Sequence, residues 1–479
     1  MKHQLHDSCL RLLLVIALVL TAVTGYSQYL RTSYFMEGTQ YRLQLNPALA
    51  PERGFVHLPG IGHIQASVHS NSMGLDDVVE MIENKAESDF FTSDKFFNNL
   101  VDVNNASLNA GTDLLAVGWW SGKGFWTLSM GVKADGYASV PKEWFSFMRD
   151  MKGIQPVDYS HYTRHIGHEE LNLTTYAELA VGYSRQIANR LTIGGRLKGL
   201  LGMGNINLKV REAIVNIDME NLPADFDWSH PDPTQLIGCH GTASFDVDAD
   251  LESSFEGLSL LSNADGYIDD MDFEAKHMGI AGCGAAVDLG LDFQVTDAFS
   301  LSAAVNDLGF IQWSKGTSQY AHSNTSDMRF DTDRPREFPY FANVAGSSKT
   351  LNLDLLRLEK DESAHKSRKT NLASTMAVGG EYKVLRDKLS LGVLFTNRFT
   401  KPKNESEITL SANYHPSSLI DVAVSYSPVM CSGKAFGVAV KLGPLFVGTD
   451  YVYLDKNTKC CNTLVGLSIP LGKKQNEND

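Results

Sequence analysis

The last hundred residues of the chain alternate apolar with small or polar side chains in five consecutive segments. Within 418–427 the even positions from 420 onward are apolar, and the odd positions from 421 onward are small or polar. The same period of two recurs in 408–414, 436–442, 445–451 and 465–469. Each segment is near the length, about ten residues, with which a tilted strand crosses a bilayer, and each has one apolar and one polar face. This pattern predicts a transmembrane β-barrel.

Similar segments upstream extend the prediction over most of the chain. They cover 54–69, 114–120, 126–132, 177–183, 191–197, 206–210, 243–247, 287–293, 299–305, 376–382 and 389–395. An even strand number requires Gly204-Asn205 to form a tight hairpin, 243–247 to be a barrel strand and 218–239 to be a long periplasmic turn. If 54–69 is the first strand, the count is sixteen. If the amino-terminal segment folds into the lumen and one pair merges, the count is fourteen.

We therefore predict an all-β fold, an antiparallel transmembrane β-barrel of 14–16 strands with short helices in its loops or lumen. Short connections such as Gly122-Lys123 and Gly443-Pro444 alternate with long ones, including 135–170, 249–278 and 308–370. Bacterial barrels have short periplasmic turns and longer extracellular loops. The long connections are therefore expected outside the cell.

The amino terminus indicates the compartment. Lys2 and Arg11 precede an apolar run, Leu12–Val23, which is interrupted only by Thr21 and is followed by small residues. This is the pattern of a secretory signal peptide, and the run is short of the ~20 residues of a spanning helix. We predict a signal peptide over 1–27, an amino-terminal segment with a lumen plug or first strand and an amphipathic helix over 28–112, the barrel over 113–472 and a polar tail over 473–479. The predicted location is the cell outer membrane.

Two stretches have a helical period. Gly74–Val101 begins with acidic residues and carries apolar residues in two turns, which predicts a broken amphipathic helix. In Pro141–Met151 a proline precedes Trp144 and Phe145, as is typical of a first helical turn. Such helices either cap the mouth of a barrel or plug its lumen, and the sequence leaves both alternatives open.

Composition and charge narrow the function. The 479 residues carry a formal net charge of −14, which argues against a nucleic-acid partner because that would require a basic face. The mean hydropathy of −0.16 is compatible with a barrel, since only alternate residues face lipid. No catalytic motif and no phosphate-binding loop stands out, so the sequence predicts neither an enzyme nor a cofactor.

Charged residues occupy the faces opposite the apolar ones, with both signs represented. They are Arg196, Lys198, Lys209, Arg211, Asp288, Asp292, Glu381, Lys383, Asp421, Lys441 and Asp450. In the lumen such residues either form ion pairs that brace the wall or line a selective pore. A selective pore is expected to have one dominant sign, so the mixture favours bracing.

Two loops carry residues that can bind metals. His161, His165 and His168 form a histidine cluster, and imidazoles at such spacings can share Zn²⁺ or Cu²⁺. Because cysteine ligands and an H-E-x-x-H helix are missing from this segment, the pattern favours a polar loop. Residues 263–274 are rich in carboxylates around Gly266, as calcium loops are, but Leu261 stands where the first ligand is expected.

Two stretches resemble a known family. Residues 34–48, Tyr-Phe-Met-Glu-Gly-Thr-Gln-Tyr-Arg-Leu-Gln-Leu-Asn-Pro-Ala, and 306–313, Asn-Asp-Leu-Gly-Phe-Ile-Gln-Trp, resemble an uncharacterised outer-membrane barrel family of Bacteroidota-type bacteria. That family is similar in plan to fatty-acid transporter (FadL-like) barrels and to barrels of type IX secretion. The resemblance implies location and fold. The chain departs from many such barrels because its last strand ends at 469–472 without a terminal aromatic residue.

Asn46-Pro47 predicts a turn, which lies either in the lumen as a plug that contacts substrate or on the rim. Together these features predict a transporter or channel for a hydrophobic or small solute. The alternative is an accessory barrel that docks secreted or surface proteins through its loops. The expected partners are outer-membrane lipid, a hydrophobic ligand in the first case, and secretion-system or surface proteins in the second.

Overall fold

Antiparallel strand pairing organises nearly all of the chain. The structure, a computed structural model, describes residues 29–472 except 58–61, 75–76, 78–87, 228–232, 278, 327, 333–355, 365, 386–387, 402, 418, 431–432 and 453–458. The predicted signal peptide and polar tail lie outside the described residues. Strands are numbered here in chain order, β1 to β23.

Fourteen strand positions close into a barrel. The first position is shared by β1 (Gly54–His57) and β2 (Ile64–Ser70), which pair with the last strand. The others are β3 (Val103–Ser121), β4 (Gly124–Pro141), β6 (Glu169–Ala188), β7 (Leu191–Glu220), β11 (Gly282–Gln294), β12 (Phe299–Trp313), β17 (Ser374–Lys383), β18 (Leu389–Phe399), β19 (Glu405–Ser417), β20 (Ile420–Met430), β21 (Gly433–Leu442), β22 (Leu445–Thr449) and β23 (Cys460–Leu471). The predicted fold class is confirmed.

The alternation predicted from the sequence is the alternation between the two faces of the wall. In β20, Ile420 and Val424 are 41% and 50% exposed, whereas Asp421 is fully buried inside. Apolar side chains are exposed on strands all around the barrel, with Leu197 at 71% and Val393 at 52%. A surface of this kind on a barrel faces lipid.

The predicted hairpin at Gly204-Asn205 is wrong, because β7 runs through it without a turn. Gly204 pairs with Thr175 on one side and with Phe255 on the other. A Cβ on Gly204 would lie 1.8 Å from the Phe255 ring, so the glycine serves close packing and not a turn. The predicted strands 191–197 and 206–210 are therefore one strand. Residues 243–247 belong to a strand outside the barrel, which leaves fourteen positions.

Beyond the barrel, the second half of β7 supports a smaller sheet at the end with long connections. This loop domain contains β5 (Tyr162–Ile166), β8 (His240–Phe255), β9 (Leu258–Ser262), β10 (Ile268–Phe273), β13 (Ser318–Ser323), β14 (Arg329–Asp331) and β15 (Leu358–Lys360). β16 (Arg368–Asn371) pairs with β12 and continues the line of β17 along that strand. An apolar core that includes Trp144, Phe147 and Phe245 fills the loop domain. The opposite end of the barrel, with short connections, is called the turn end.

Among the residues that the structure describes, three α-helices belong to the loop domain: α1 (Ser88–Thr92), α2 (Asp94–Asn99) and α3 (Lys142–Met151). The predicted helix at 141–151 is confirmed, with Pro141 as its amino-terminal cap. Of the helix predicted over 74–101, most of the first half lies outside the described residues, and the second half forms α1 and α2. Phe96 packs on Phe145 with ring centroids 5.2 Å apart, so these helices build the loop domain. Within the described residues, no helix has the length and apolarity to span a membrane.

Candidate functional site

Residues 29–50, here called the plug, lie inside the barrel. They form two short 3₁₀ helices, Arg31–Ser33 and Gln40–Gln44, joined by turns. The plug contacts wall residues on strands around the whole circumference, which are His57, Arg196, Ser302, Asp307, Lys383, Glu407, Asp421 and Ser425. A segment with partners on all sides of a closed wall must occupy the lumen.

Asn46 of the plug is hydrogen-bonded through both ends of its side-chain amide. Its Nδ2 donates to the carbonyl oxygens of Leu291 at 3.2 Å and Ala303 at 3.5 Å, and its Oδ1 accepts from the backbone amide of Ala48 at 2.9 Å. Asn46 is 0% exposed. Its amide therefore ties the predicted Asn46-Pro47 turn to β11 and β12.

Two wall glycines make room for this turn. A Cβ on Gly290 would lie 2.1 Å from Oδ1 of Asn46, and a Cβ on Gly194 would lie 2.3 Å from the carbonyl oxygen of Pro47. Real side chains do not tolerate such distances, so the wall is shaped to the plug at these points.

The second noted motif meets the first. Asn306 and Asp307 bulge from β12, where the pairing with β11 shifts register and Asp307 adopts a φ of 58°. Nδ2 of Asn306 donates to the carbonyl oxygen of Leu45 at 2.7 Å, next to Asn46. The hydroxyl of Tyr29 donates to Asp307 at 2.6 Å. The bulge therefore directs two polar side chains onto the plug.

A balanced charge network surrounds this bulge on β4, β6, β7, β11 and β12. Nζ of Lys198 lies 2.8 Å from Asp288 and 2.5 Å from Asp307. Arg196 lies 3.5 Å from Asp288, and Lys133 lies 2.9 Å from Glu178. Arg196 and Lys198 thus brace adjacent strands, as expected for a mixed-sign lumen. Burial raises the pKa of Tyr29 to about 12, with the Asp307 charge as the second cause, so its hydroxyl stays protonated and able to donate.

On the opposite wall the plug supplies the positive charge. Nε of Arg31 lies 2.8 Å from Glu407, and its Nη2 lies 3.4 Å from Asp450. Asp450 also accepts from the backbone amides of Arg31 at 3.1 Å and Thr32 at 2.8 Å. The side chains of Arg31, Glu407 and Asp450 are 5%, 7% and 2% exposed. This triad is a buried cluster of two wall carboxylates, and its cation comes from the plug.

Asp421 and Glu381 also face inward, towards the turn end. Asp421 accepts from the backbone amide of Gly38 at 3.1 Å, and its other neighbour is His415 at 3.3 Å. Glu381 is 6% exposed and lies near Lys383, whose Nζ is 3.0 Å from Glu37 of the plug. Burial opposes ionisation of Glu37, but the charges of Lys383 and Arg42, together with the hydrogen bond from Lys383, outweigh it and hold the pKa of Glu37 below its usual value.

Above the plug, on the side of the loop domain, the lumen contains a partly open cavity of about 490 Å³. Tyr29, Arg31 and Leu45 of the plug lie in its lining. Its charged lining residues are Arg31, Lys133, Lys209, Lys369, Arg398, Lys401, Asp135, Glu170, Glu252, Asp307, Glu405 and Glu407. Amide and hydroxyl side chains contribute most of the remainder. The cavity is thus polar and electrically balanced.

A narrower cavity of about 50 Å³ lies along the plug. It shares Tyr29, Gln65 and Lys133 with the larger one and reaches His57 and His63. These shared side chains therefore lie between the two cavities.

The structure does not bring the three loop histidines together. His161 lies 3.5 Å from Asp218, His165 lies 3.6 Å from Glu212, and His168 is exposed. In the part of the chain that the structure describes, no three histidine, cysteine, aspartate or glutamate side chains are placed to hold a metal ion.

Two further sequence interpretations fall in the loop domain. Residues 263–274 form the turn and second strand of the β9–β10 hairpin instead of a calcium loop, with Asn263 bonding the turn amides of Asp265 and Tyr267. The prediction that Arg211 faces the lumen is wrong, because it lies on the extension of β7 and pairs with Asp248 and Asp250 at the exposed surface.

The alanine substitution of Gly194 is expected to loosen the plug while leaving the barrel closed. Overpacking costs about 1–3 kcal/mol, so amide exchange of residues 44–50 should accelerate by about tenfold or more. The neighbouring Gly195→Ala is the control, because its Cβ would lie 3.5 Å from the carbonyl oxygen of Asp288, an ordinary contact. Exchange measured by mass spectrometry distinguishes them, and equal rates in both variants would contradict the close fit.

Comparison with known proteins gives one family. The model of a family described as of unknown function (DUF5723) matches residues 47–450. A search of curated proteins finds no match. Among solved structures, the toluene transporter TbuX of Ralstonia pickettii is similar at 9% identity and a TM-score of 0.42, over 92% of this chain and 98% of that one. The toluene transporter TodX of P. putida has 10% identity and a TM-score of 0.40, over 94% and 99%. At these values the likenesses identify no solute.

Proposed function

The chain belongs to DUF5723, a family of unknown function, and from its lumen we propose that it is an outer-membrane barrel that admits small polar solutes past a movable plug. The observation that carries this proposal is the polar cavity of about 490 Å³ whose lining includes plug residues. A gated conduit needs a space of the size of the solute and a segment that blocks the lumen and can move. The cavity is the space, and we propose the plug as the segment that moves.

The outer surface supports the membrane location. Trp119, Trp126 and Tyr183 are about two-fifths exposed, at 41%, 39% and 38%, near the turn end of β3, β4 and β6. Exposed leucine, valine and isoleucine side chains occupy the adjacent positions of the wall. An apolar band bordered by amphipathic aromatic rings fits a bilayer and its interface.

The lining favours a polar solute over a hydrocarbon. Pockets for apolar ligands are lined mainly by apolar and aromatic side chains. Here the aliphatic lining residues are Leu45, Leu372 and Ala373, among many charged and amide residues. The aromatic residues of α1 and α2 pack in the core of the loop domain and do not contribute to the cavity. Of the two solute classes predicted from the sequence, hydrophobic or small, we therefore choose the small one and propose in addition that it is polar.

Chemical labelling of whole cells tests both location and access. Asn371 is exposed, lines the cavity and ends β16, so Asn371→Cys should react with a membrane-impermeant maleimide added to intact cells. Gln294 is exposed at the turn end of β11, so Gln294→Cys should react only after the cells are broken.

The chain without an added cysteine gives the background, because Cys283 is itself exposed. Equal labelling of the two variants in intact cells would contradict the proposed orientation. If the cysteine at position 371 is not labelled by reagent added to intact cells, although the protein is folded, a docking role would be favoured over solute entry.

A further inference from the structure

The carboxylates that line the larger cavity are paired with basic side chains. Each of its six carboxylates has a basic nitrogen within an ion-pair distance, and the pairs are Arg31–Glu407 at 2.8 Å, Lys198–Asp307 at 2.5 Å, Lys401–Glu170 at 3.2 Å, Arg368–Glu252 at 3.2 Å, Arg398–Glu405 at 3.9 Å and Arg398–Asp135. An ionic solute would have to exchange its hydration for charges that are already paired. The cost of desolvation makes this unfavourable.

Amide and hydroxyl groups fill the spaces between the pairs in ordered rows. Strand register places Tyr137 opposite Asn172, and Asn172 opposite Asn207. Two residues nearer the turn end on β4, Asp135 lies opposite both Asn109 and Thr174. Because the register is fixed by backbone pairing, these groups present donors and acceptors at set heights on the lumen wall.

Gln65 leaves an acceptor unused. Its side chain is buried, with the residue 3% exposed, and lies in the lining of both cavities. Its Oε1 has no hydrogen-bond partner among the described residues. A buried carbonyl oxygen without a partner is destabilising, so this position favours a solute that brings an O–H or N–H donor.

Aromatic rings complete the lining. Tyr29, Tyr137, Tyr176 and Phe399 contribute rings to the cavity wall. A ring face is an apolar surface onto which the C–H groups of a polar molecule can pack, and the phenolic hydroxyls add hydrogen-bonding groups. Paired charges, fixed amides and a few rings together suit a molecule that is neutral, rich in hydroxyls and has apolar faces.

We propose that the cavity binds a neutral, polyhydroxylated solute of about monosaccharide to disaccharide size. Its volume of about 490 Å³ lies in the range of small-molecule sites, about 300–1,000 Å³. This inference deepens the proposed function, on which it rests for access from outside. Ions are disfavoured by the paired charges, and hydrocarbons by the scarcity of aliphatic lining.

Saturation-transfer NMR on the full-length protein tests the proposal. The protein is held in an amine-oxide detergent, because maltoside detergents carry a competing sugar. The probes are sucrose and maltose, with citrate and octanoate as ionic and apolar comparators. We expect transfer to the sugar protons and little to either comparator. Gln65→Leu should weaken sugar binding by about tenfold, since one lost hydrogen bond in a site is worth about 1–3 kcal/mol.

A second variant and a control keep the test independent of folding. Asn371→Leu alters an exposed cavity residue and should also weaken sugar binding, whereas Gln294→Leu alters an exposed amide at the turn end and should leave it unchanged. Absence of sugar binding, preference for citrate or octanoate, or equal loss in the Gln294→Leu control would overturn the proposal. If Asn371→Cys is labelled from outside while no sugar binds, the proposed function stands and the solute class fails. If it is not labelled, the proposed function itself fails.

Discussion

A chain without residues 29–50 is expected to form a stable, continuously conducting pore, whereas the intact chain should conduct little. The plug fills the turn-end half of the lumen, and its residues Tyr34, Met36 and Asn46 are fully buried. Barrels only slightly larger than fourteen strands hold aqueous channels once their lumen is empty. We expect the mean current through a planar bilayer to rise at least about tenfold, because the remaining wall is polar.

The barrel itself should survive this deletion. Its closure depends on backbone pairing of β1 and β2 with β23, none of which includes the plug. A deletion of the same length in the β9–β10 region, residues 256–277, is the matched control. Phe255 and Gly282, on either side of the deleted region, pair with Gly204 and Gly202 of the same strand, so the strands that flank the deletion lie near each other. Similar currents from both deletions, in protein that retains the heat-dependent gel mobility of a folded barrel, would show that the plug is not the obstruction.

The barrel could be predicted from the sequence because its cause is local. Each wall strand must present an apolar side chain to lipid at every second residue. This alternation can be recognised in the sequence of a single strand, as at Ile420 and Val424. The number of strands was harder to predict from the sequence. Gly204-Asn205 has the composition of a turn, but the glycine is needed for the ring of Phe255, which is distant in sequence.

The plug and the cavity depend on contacts between distant residues. Asn46 and Asn306 stood out as parts of motifs, yet only the fold shows that both bond across the interface between plug and wall. Arg31 lies in a segment without periodicity, and nothing in the sequence links it to Glu407 and Asp450. The rows of amides around Asn172 and Asn207 arise from strand register, which period-two alternation does not specify between neighbours.

The replacement of Arg31 by methionine is expected to release the plug without removing it. The substitution keeps an unbranched side chain but leaves the buried carboxylates of Glu407 and Asp450 without their shared cation. Breaking a buried pair in this way costs about 3–5 kcal/mol. Amide exchange over residues 29–50 should accelerate by more than about a hundredfold, and brief openings should interrupt the closed state in bilayer recordings.

We attribute the release of the plug in Arg31→Met to unpaired charge and not to lost packing. The triple variant Arg31→Met, Glu407→Gln, Asp450→Asn should therefore restore much of the protection of residues 29–50 from amide exchange. Removal of all partners of a buried ion cluster is far less costly than removal of one. Arg190→Met is the surface control, because Arg190 and Asp297 are 54% and 104% exposed and their pair is 3.8 Å long. Its effect should stay within about 0.5 kcal/mol. A triple variant as open as the single one would show that Arg31 seats the plug through packing, and the electrostatic account of the closed state would then be wrong.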